Sequence, residues 1–171
     1  MTNISGKTIL ITGASKGIGK AIALSLAALN ANIGLVARSQ KELQELQIEI
    51  IKLGSKAEIF IGSVADETFA NEAIKTMLQK FGKIDVLINN AGYGVFENAE
   101  RITAKDWDDL FATNTKGTFL FCKAVIPGMK ERKDGHIINV ASGLKELSVV
   151  AHYIAPANML RKVLVQLSEK S

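Results

Sequence analysis

A glycine-rich segment near the N-terminus, TGASKGIG at residues 12–19, is the first pattern in this sequence that could do chemistry. It follows the short apolar run at residues 8–11 and precedes a segment with helical apolar spacing, which predicts a strand, a turn and a helix. In that setting Gly13 allows a tight turn, Gly17 lets the backbone approach a pyrophosphate, and Gly19 lets the helix pack closely. Backbone N–H groups at the start of the helix then favour an anion. The segment predicts a dinucleotide site, with the glycines of a plain turn as the alternative.

Basic side chains follow the second apolar run, residues 32–37. Proteins that bind NAD place an acidic residue about 20 positions after the glycine turn, where it holds the ribose 2′-hydroxyl. This chain instead has Arg38-Ser39 and no acid before Glu42. Arg38 and Lys16 could both contact a 2′-phosphate, because guanidinium and ammonium groups suit phosphate oxygens. The pattern favours NADP(H), and two solvent-facing surface charges are the alternative.

The elements that must position these residues alternate between strand and helix. Apolar runs predict five strands, at residues 8–11, 32–37, 57–61, 84–88 and 136–140. Helical periodicity predicts helices from about residue 18, at 40–53, at 66–81, near 104–130 and at 159–167. Asp66 and Thr103 are predicted N-caps, while Pro127 and Gly128 are expected to end or bend the long fourth helix. The alternation predicts one doubly wound α/β domain with a parallel sheet.

Two motifs together give the sequence a specific resemblance. The spacing Thr-Gly-x-x-x-Gly-x-Gly at residues 12–19 is followed, after the fourth predicted strand, by the block Asn89-Asn90-Ala91-Gly92. In this order they resemble the short-chain dehydrogenase/reductase family, and the chain is similar to its 3-oxoacyl-carrier-protein reductases. The resemblance implies a Rossmann-type sheet of about five strands in the order 3-2-1-4-5. It also implies one NADP(H)-binding domain over residues 1–171 and hydride transfer between nicotinamide and a carbonyl or alcohol substrate.

The resemblance assigns a set of residues to the cofactor. They are Gly13, Ser15, Lys16, Gly17, Ile18, Gly19, Arg38, Ser39, Ser63, Val64, Asn90, Ala91 and Gly92. After the third strand the family usually has an Asp that hydrogen-bonds the adenine amino group, followed by an aliphatic residue. This chain reads Ser63-Val64 at that place. Ser63 can accept a hydrogen bond but is shorter and uncharged, so we expect weaker adenine binding.

The resemblance also implies three catalytic residues. In the family a tyrosine exchanges a proton with the substrate oxygen, a serine hydrogen-bonds that oxygen, and an asparagine supports a water-mediated proton path. Asn114 matches the asparagine, Ser142 matches the serine, and Tyr153 is the only downstream tyrosine. A polar interruption of the helix is the alternative for Asn114, and a packing tyrosine is the alternative for Tyr153. No metal site is predicted.

Two departures from the family's pattern concern catalysis. Ala157 stands where the family has a lysine that lowers the pKa of the tyrosine, and Arg161 is about 12 Å further than Tyr153 along a helix. A tyrosine with a pKa of about 10 is poorly matched to proton transfer at neutral pH. The chain also stops at Ser171, short of two further strands and the substrate-covering region of the family. We therefore expect little turnover, and a catalytically impaired nucleotide-binding module or fragment is the alternative function.

Charge and composition limit other function classes. The formal net charge is +4, but basic residues alternate with acids, which favours a solvated surface over nucleic-acid binding. No apolar run reaches the roughly 18 residues of a membrane span. The single cysteine, Cys122, lies in an apolar stretch and predicts a core residue in a reducing compartment, hence a cytoplasmic protein. Pairing of long helices in a homo-oligomer could involve residues 118–125, which core burial explains equally well.

Overall fold

The computed structural model describes residues 4–141, which form a parallel β-sheet with helices on both faces. The strands are β1 (Thr8–Thr12), β2 (Asn32–Ala37), β3 (Ala57–Ile61), β4 (Val86–Asn89) and β5 (His136–Asn139). They pair in the order β3-β2-β1-β4-β5. This is the order that the resemblance implies, so the predicted fold class, a doubly wound Rossmann-type sheet, is confirmed.

The helices cover the sheet in two pairs. On one face lie α1 (Gly17–Ala27) and α2 (Gln40–Lys52), and on the other lie α3 (Glu67–Phe81) and α5 (Gly117–Arg132). A short 3-10 helix (Ala99–Arg101) and α4 (Ala104–Phe111) precede α5, and a π-helical turn (Ala112–Lys116) joins α4 to α5. Each crossover returns the chain to the same end of the sheet, so the segments that leave the strands collect at one edge.

The predicted N-caps are confirmed. The Asp66 carboxylate accepts the N–H of Phe69 at 3.1 Å, and the Thr103 hydroxyl accepts the N–H of Asp106 at 3.1 Å in a reciprocal capping box. Gly82 ends α3 with a φ of +77° and donates its N–H to the carbonyl oxygen of Leu78 at 2.8 Å. These ends depend on neighbouring residues alone.

The long helix near residues 104–130 is interrupted at a different place from the one predicted. The break is the π-helical turn Ala112–Lys116, whereas α5 passes through Pro127 and does not end there. Val125 and Met129, on either side of Pro127, are both buried in the core. Packing of this helix on the sheet outweighs the one backbone hydrogen bond that proline cannot make.

Alternate residues of β1 face two apolar layers. Ile9 and Ile11 lie in the layer beneath α1 and α2, while Leu10 and Phe121 lie in the layer beneath α3 and α5. Cys122 is buried in the second layer as predicted, and this burial raises the pKa of its thiol. Within residues 4–141, no helix combines the length and the hydropathy that a membrane span requires.

Candidate functional site

The turn after β1 and the loop after β4 are tied together by one hydroxyl and one amide. The two strands are neighbours, with Thr12 paired to Asn89. The Thr12 hydroxyl oxygen accepts the N–H of Asn90 at 3.1 Å and the N–H of Ala91 at 3.0 Å. In return, the Nδ2 of Asn90 donates to the carbonyl oxygens of Thr12 at 3.2 Å and Gly13 at 3.0 Å. The two sequence motifs are therefore parts of one structure, and the Asn90 amide nitrogen is committed to the glycine turn.

The three glycines of the turn differ in what surrounds them. Gly13 has a φ of +66°, and a Cβ there would lie 2.7 Å from the Cα of Ala91. A Cβ on Gly19 would lie 2.3 Å from the carbonyl oxygen of Gly13, so the helix packs directly against the turn. Gly17 has a φ of +56°, and its Cβ position has no described atom within 4 Å beyond its chain neighbours. Gly13 and Gly19 keep the turn compact, whereas Gly17 leaves an open backbone surface.

The N-terminus of α1 differs from those of α3 and α4. Lys16 occupies its N-cap position, and no side chain of the described residues caps this helix. Lys16 and Ile18 are exposed, and Ser15 is half-buried. Uncapped backbone N–H groups carry the positive end of the helix dipole, to which the Lys16 ammonium adds. This end of α1 can therefore bind an anion.

Arg38 and Ser39 lie at the same edge of the sheet as the glycine turn. Val36 belongs to β2, beside β1, and its carbonyl accepts the N–H of Ala14 at 3.1 Å. Arg38 is exposed, and Ser39 occupies the N-cap position of α2. Within residues 4–141, neither Arg38 nor Lys16 forms an ion pair. Both charges are thus available to a ligand at this edge.

In the loop after β3 the two residues predicted for the cofactor differ in their exposure to solvent. Ser63 is exposed, and its hydroxyl oxygen accepts the N–H of Ala65 at 3.3 Å. Val64 is only 7% exposed and belongs to the core beneath α3 and α5. Of this pair, Ser63 is therefore the one whose side chain can meet a ligand at the edge.

Asn114 lies in the π-helical turn and is 3% exposed. Its Oδ1 accepts the N–H of Tyr93 at 3.0 Å, and its Nδ2 donates to the carbonyl oxygen of Tyr93 at 2.8 Å. The Thr118 hydroxyl donates to the backbone carbonyl of Asn114 at 3.1 Å. The side-chain amide thus fastens the loop that follows Gly92, so Asn114 is a structural tie as well as a polar residue that interrupts the helix.

A buried pair of amides beside this site was missed by sequence reasoning. Asn89 and Asn139 face each other in the β4–β5 register, and the Asn89 Nδ2 donates to the Asn139 Oδ1 at 2.9 Å and to the Cys122 Sγ at 3.3 Å. The Oδ1 of Asn89 and the Nδ2 of Asn139 have no hydrogen-bond partner in the part of the chain that the structure describes. The signal that could have revealed the pair is an asparagine at the last position of both neighbouring strands.

Two of the three predicted catalytic residues, Ser142 and Tyr153, lie outside the described residues, as does Ala157. The structure therefore places Asn114 against the loop that follows Gly92, and it places the cofactor candidates other than the buried Val64 at one edge of the sheet. It does not describe the proton-transfer groups. Among residues 4–141 there is no group of three or more His, Cys, Asp or Glu side chains that could hold a metal ion.

A family model described as short chain dehydrogenase matches residues 7–157, which is most of the chain. The chain belongs to the short-chain dehydrogenase family. This short-chain dehydrogenase is 38% identical over 141 residues to an uncharacterized oxidoreductase of Thermotoga maritima, covering 82% of this chain and 55% of that protein. It is 40% identical over 143 residues to a 3-oxoacyl-[acyl-carrier-protein] reductase of Synechocystis, covering 83% of this chain and 58% of that protein. The predicted family and the predicted similarity to these reductases are confirmed.

Solved structures of the family have the same fold. A metagenomic short-chain oxidoreductase in complex with NADP is 33% identical, with a TM-score of 0.87, covering 95% of this chain and 75% of that one. An NAD+-bound xylitol dehydrogenase is 31% identical, with a TM-score of 0.87, covering 95% of this chain and 64% of that one. The short-chain dehydrogenase described here spans little more than half the length of the two curated relatives above.

Proposed function

We propose that this short-chain dehydrogenase is an NADP(H)-dependent oxidoreductase that transfers a hydride between nicotinamide and a carbonyl or alcohol substrate. The observation that carries the proposal is the glycine turn, where the open Gly17 and the uncapped start of α1 share one sheet edge with the exposed Lys16 and Arg38. Similarity to a 3-oxoacyl-[acyl-carrier-protein] reductase and to a structure in complex with NADP supports it. Because another similar structure is NAD+-bound, the choice of NADP(H) rests on Lys16 and Arg38.

The residues at this edge fit the parts of a dinucleotide. Backbone N–H groups of the α1 N-terminus, beside Gly17, suit the pyrophosphate, and the two basic side chains suit a 2′-phosphate. The exposed Ser63 hydroxyl is available to the adenine amino group. Bound there, the cofactor would supply or accept the hydride. We assign Asn90, Ala91 and Gly92 to the wall of the site, since Asn90 and Ala91 are hydrogen-bonded to the glycine turn.

The proton transfer is proposed from the sequence. Tyr153 would exchange a proton with the substrate oxygen, and Ser142 would hold that oxygen by a hydrogen bond. The amide of Asn114 is committed to the backbone of Tyr93, so we propose that Asn114 acts by fixing the loop after Gly92. The roles of Tyr153 and Ser142 remain predictions.

A nucleotide-binding module with impaired turnover is the second candidate. Ala157 favours it, because the predicted acid Tyr153 then lacks a cationic neighbour to lower its pKa. Ser63 in place of an acid also favours it, because a single uncharged hydroxyl holds adenine less strongly. Nucleotide binding is common to both candidates, so it is the first property to measure.

The test is a fluorescence titration of the purified chain with NADPH and, separately, with NADH. We expect saturable binding that is tighter for NADPH, and an Arg38→Asp variant that binds NADPH at least about tenfold more weakly, because a carboxylate there repels the 2′-phosphate. Lys75→Asp is the matched control, since Lys75 is an exposed residue of α3 and carries the same change of charge. Equal affinity for the two nucleotides, or an Arg38→Asp variant indistinguishable from Lys75→Asp, would overturn the assignment.

Partners and location remain predictions. A small carbonyl or alcohol compound is the proposed substrate, and no nucleic-acid or membrane partner is proposed. For a homo-oligomer, the predicted stretch 118–125 contributes one half-exposed apolar side chain, Phe119, while Leu120, Phe121 and Val125 are buried in the core. Core burial thus accounts for most of that stretch. The cytoplasmic location and the single domain over residues 1–171 likewise stay predictions.

A further inference from the structure

Gly117, the first residue of α5, leaves room that the loop after β3 fills. A Cβ on Gly117 would lie 2.6 Å from the Cγ2 of Val64, 2.9 Å from its Cβ and 3.2 Å from its carbonyl oxygen. The φ of −58° and ψ of −46° at Gly117 are ordinary helical values that any residue adopts. Glycine is less favourable than alanine in a helix, so the backbone conformation does not call for it. The absent side chain is explained by the contact with Val64.

The loop that Gly117 contacts is the one that presents Ser63. On one side it is attached to the sheet, because the N–H of Gly62 donates to the carbonyl oxygen of Ala37 at 3.0 Å. On the other side Val64 is buried against α5, while Ser63 itself is exposed. The position of Ser63 at the sheet edge therefore depends on two attachments, of which one is the contact between Val64 and Gly117.

A second contact joins the same two elements. Glu67, in the first turn of α3, forms an ion pair at 2.7 Å with Lys123 of α5. Both side chains are largely exposed, so the pair by itself stabilises little. The buried contact of Val64 with Gly117 is consequently the part of this docking that sets the position of the loop.

We propose that Gly117 is a positioning residue for the adenosine half of the cofactor, acting through Val64 on the loop that presents Ser63. This inference rests on the proposed NADP(H) function. It differs from a cofactor contact, because the residue that acts is a glycine whose Cβ position faces the core. Any group added at Gly117 moves Val64 and with it Ser63, since the Cγ2 and Cβ of Val64 lie closer than a Cβ tolerates and its backbone oxygen lies at a tight contact distance.

The experiment compares Gly117→Ala, Val64→Ala and the double variant with the unchanged chain. NADPH is titrated by fluorescence, adenosine 2′,5′-bisphosphate is used as a displacing probe for the adenosine half, and thermal unfolding is followed in parallel. We expect Gly117→Ala to weaken the binding of both ligands about tenfold, because overpacking displaces the loop that presents Ser63. The double variant should regain part of the lost affinity, because removal of the two Val64 methyl groups relieves the contact with Cγ2, whereas the Cβ at 2.9 Å is retained in alanine.

Gly128→Ala is the matched control, the same change in the same helix. A Cβ on Gly128 would meet only the end of the flexible Arg132 side chain, at 3.3 Å, so we expect unchanged affinity. If Gly117→Ala does not fold, the double variant is compared with Val64→Ala, and it should bind both ligands more tightly because the added methyl group fills the space left at residue 64.

The outcomes separate this inference from the proposed function. Absence of NADPH binding by the unchanged chain would overturn the proposed function and this inference with it. Binding by the unchanged chain together with an unaffected Gly117→Ala variant would overturn only the role of Gly117. If the double variant binds both ligands as weakly as Gly117→Ala does, the role of Gly117 is also overturned, since the effect would then not pass through Val64.

Discussion

At the scale of single residues, the Thr12 hydroxyl joins the turn after β1 to the loop after β4. It is 2% exposed and accepts two backbone N–H groups, those of Asn90 and Ala91. A buried N–H without a partner costs about 1–3 kcal/mol, so this one oxygen stabilises the junction of two loops. The side-chain amide of Asn90 in turn donates hydrogen bonds to the carbonyl oxygens of Thr12 and Gly13. The shape of the candidate pyrophosphate site is thus held by side chains that a ligand need not touch.

A single residue also decides between the two candidate functions. Ala157→Lys restores the cation that the predicted acid Tyr153 lacks, and a neighbouring ammonium lowers the pKa of a tyrosine. We expect NADPH oxidation with a panel of ketones to rise by about 100-fold or more in this variant, from a low level in the unchanged chain, since general acid catalysis contributes about 10²–10⁴-fold. Ala157→Met, of similar length without charge, is the control. An unchanged chain already as active as Ala157→Lys would refute the need for the lysine.

At the scale of elements, Asp85 fastens the start of β4 to β1. Its carboxylate accepts the N–H of Thr8 at 2.8 Å and lies 2.8 Å from the Nζ of Lys83 and 3.4 Å from that of Lys7. Burial alone would raise the pKa of Asp85. The hydrogen bonds from Lys83 and Thr8 and the charges of the two lysines outweigh burial and hold the pKa below its usual value.

This attachment predicts a pH-dependent stability. Asp85→Asn should lower the free energy of unfolding by about 1–3 kcal/mol near pH 7, because a charged acceptor is lost. The folded-state pKa is lowered, so the contribution is present above the unfolded-state value of about 3.9 and disappears as the pH falls through the folded-state value. Urea unfolding at pH 7 and pH 3 should therefore show a difference between variant and parent that shrinks on acidification. Glu67→Gln, in an exposed ion pair with Lys123, should change stability less, and a difference independent of pH would argue against the assignment.

The helix ends and the helix interruption illustrate two kinds of element boundary. Asp66 and Thr103 cap their helices through residues three positions away, so their roles follow from local sequence. The π-helical turn around Asn114 is different, because it accompanies hydrogen bonds to Tyr93, 21 residues earlier. At Pro127 tertiary packing preserves a helix that the local sequence would interrupt, since burial of Val125 and Met129 keeps the helix intact.

At the scale of the whole molecule, the parallel order β3-β2-β1-β4-β5 brings the loops after β1, β2, β3 and β4 to one edge. This places the glycine turn, Arg38, Ser63 and the loop of Asn90 on four different connections of one sheet. A ligand that spans these connections links parts of the chain that are distant in sequence. Its binding should therefore stabilise the sheet as a unit.

That linkage gives a prediction for thermal unfolding. NADPH at about 100 times its Kd should add about 2.7 kcal/mol to the free energy of unfolding, which corresponds to a rise in Tm of roughly 5–10 °C for a chain of this size. Differential scanning fluorimetry with and without NADPH measures it, with Arg38→Asp at the same NADPH concentration as the control that should shift less. A Tm that saturating NADPH leaves unchanged would contradict binding to the folded sheet.

The sequence by itself determined the strands, the helix caps, the family and the glycine turn. Each of these depends on spacing within a few residues, such as the three glycines of the turn or the cap at Asp66, and short-range patterns carry that information. Arg38 and Ser63 could also be placed at one edge of the sheet in advance, because the carboxyl ends of parallel strands share that edge.

Only the tertiary structure decided how these residues are held. The hydrogen bond between Thr12 and Asn90 joins residues 78 positions apart, and the pair of Asn89 with Asn139 spans 50. The tertiary structure also decided that Val64 is buried against Gly117 while its neighbour Ser63 is exposed. No local pattern encodes such pairs, because close packing and the pairing of buried polar groups are satisfied by whichever atoms the fold brings within reach.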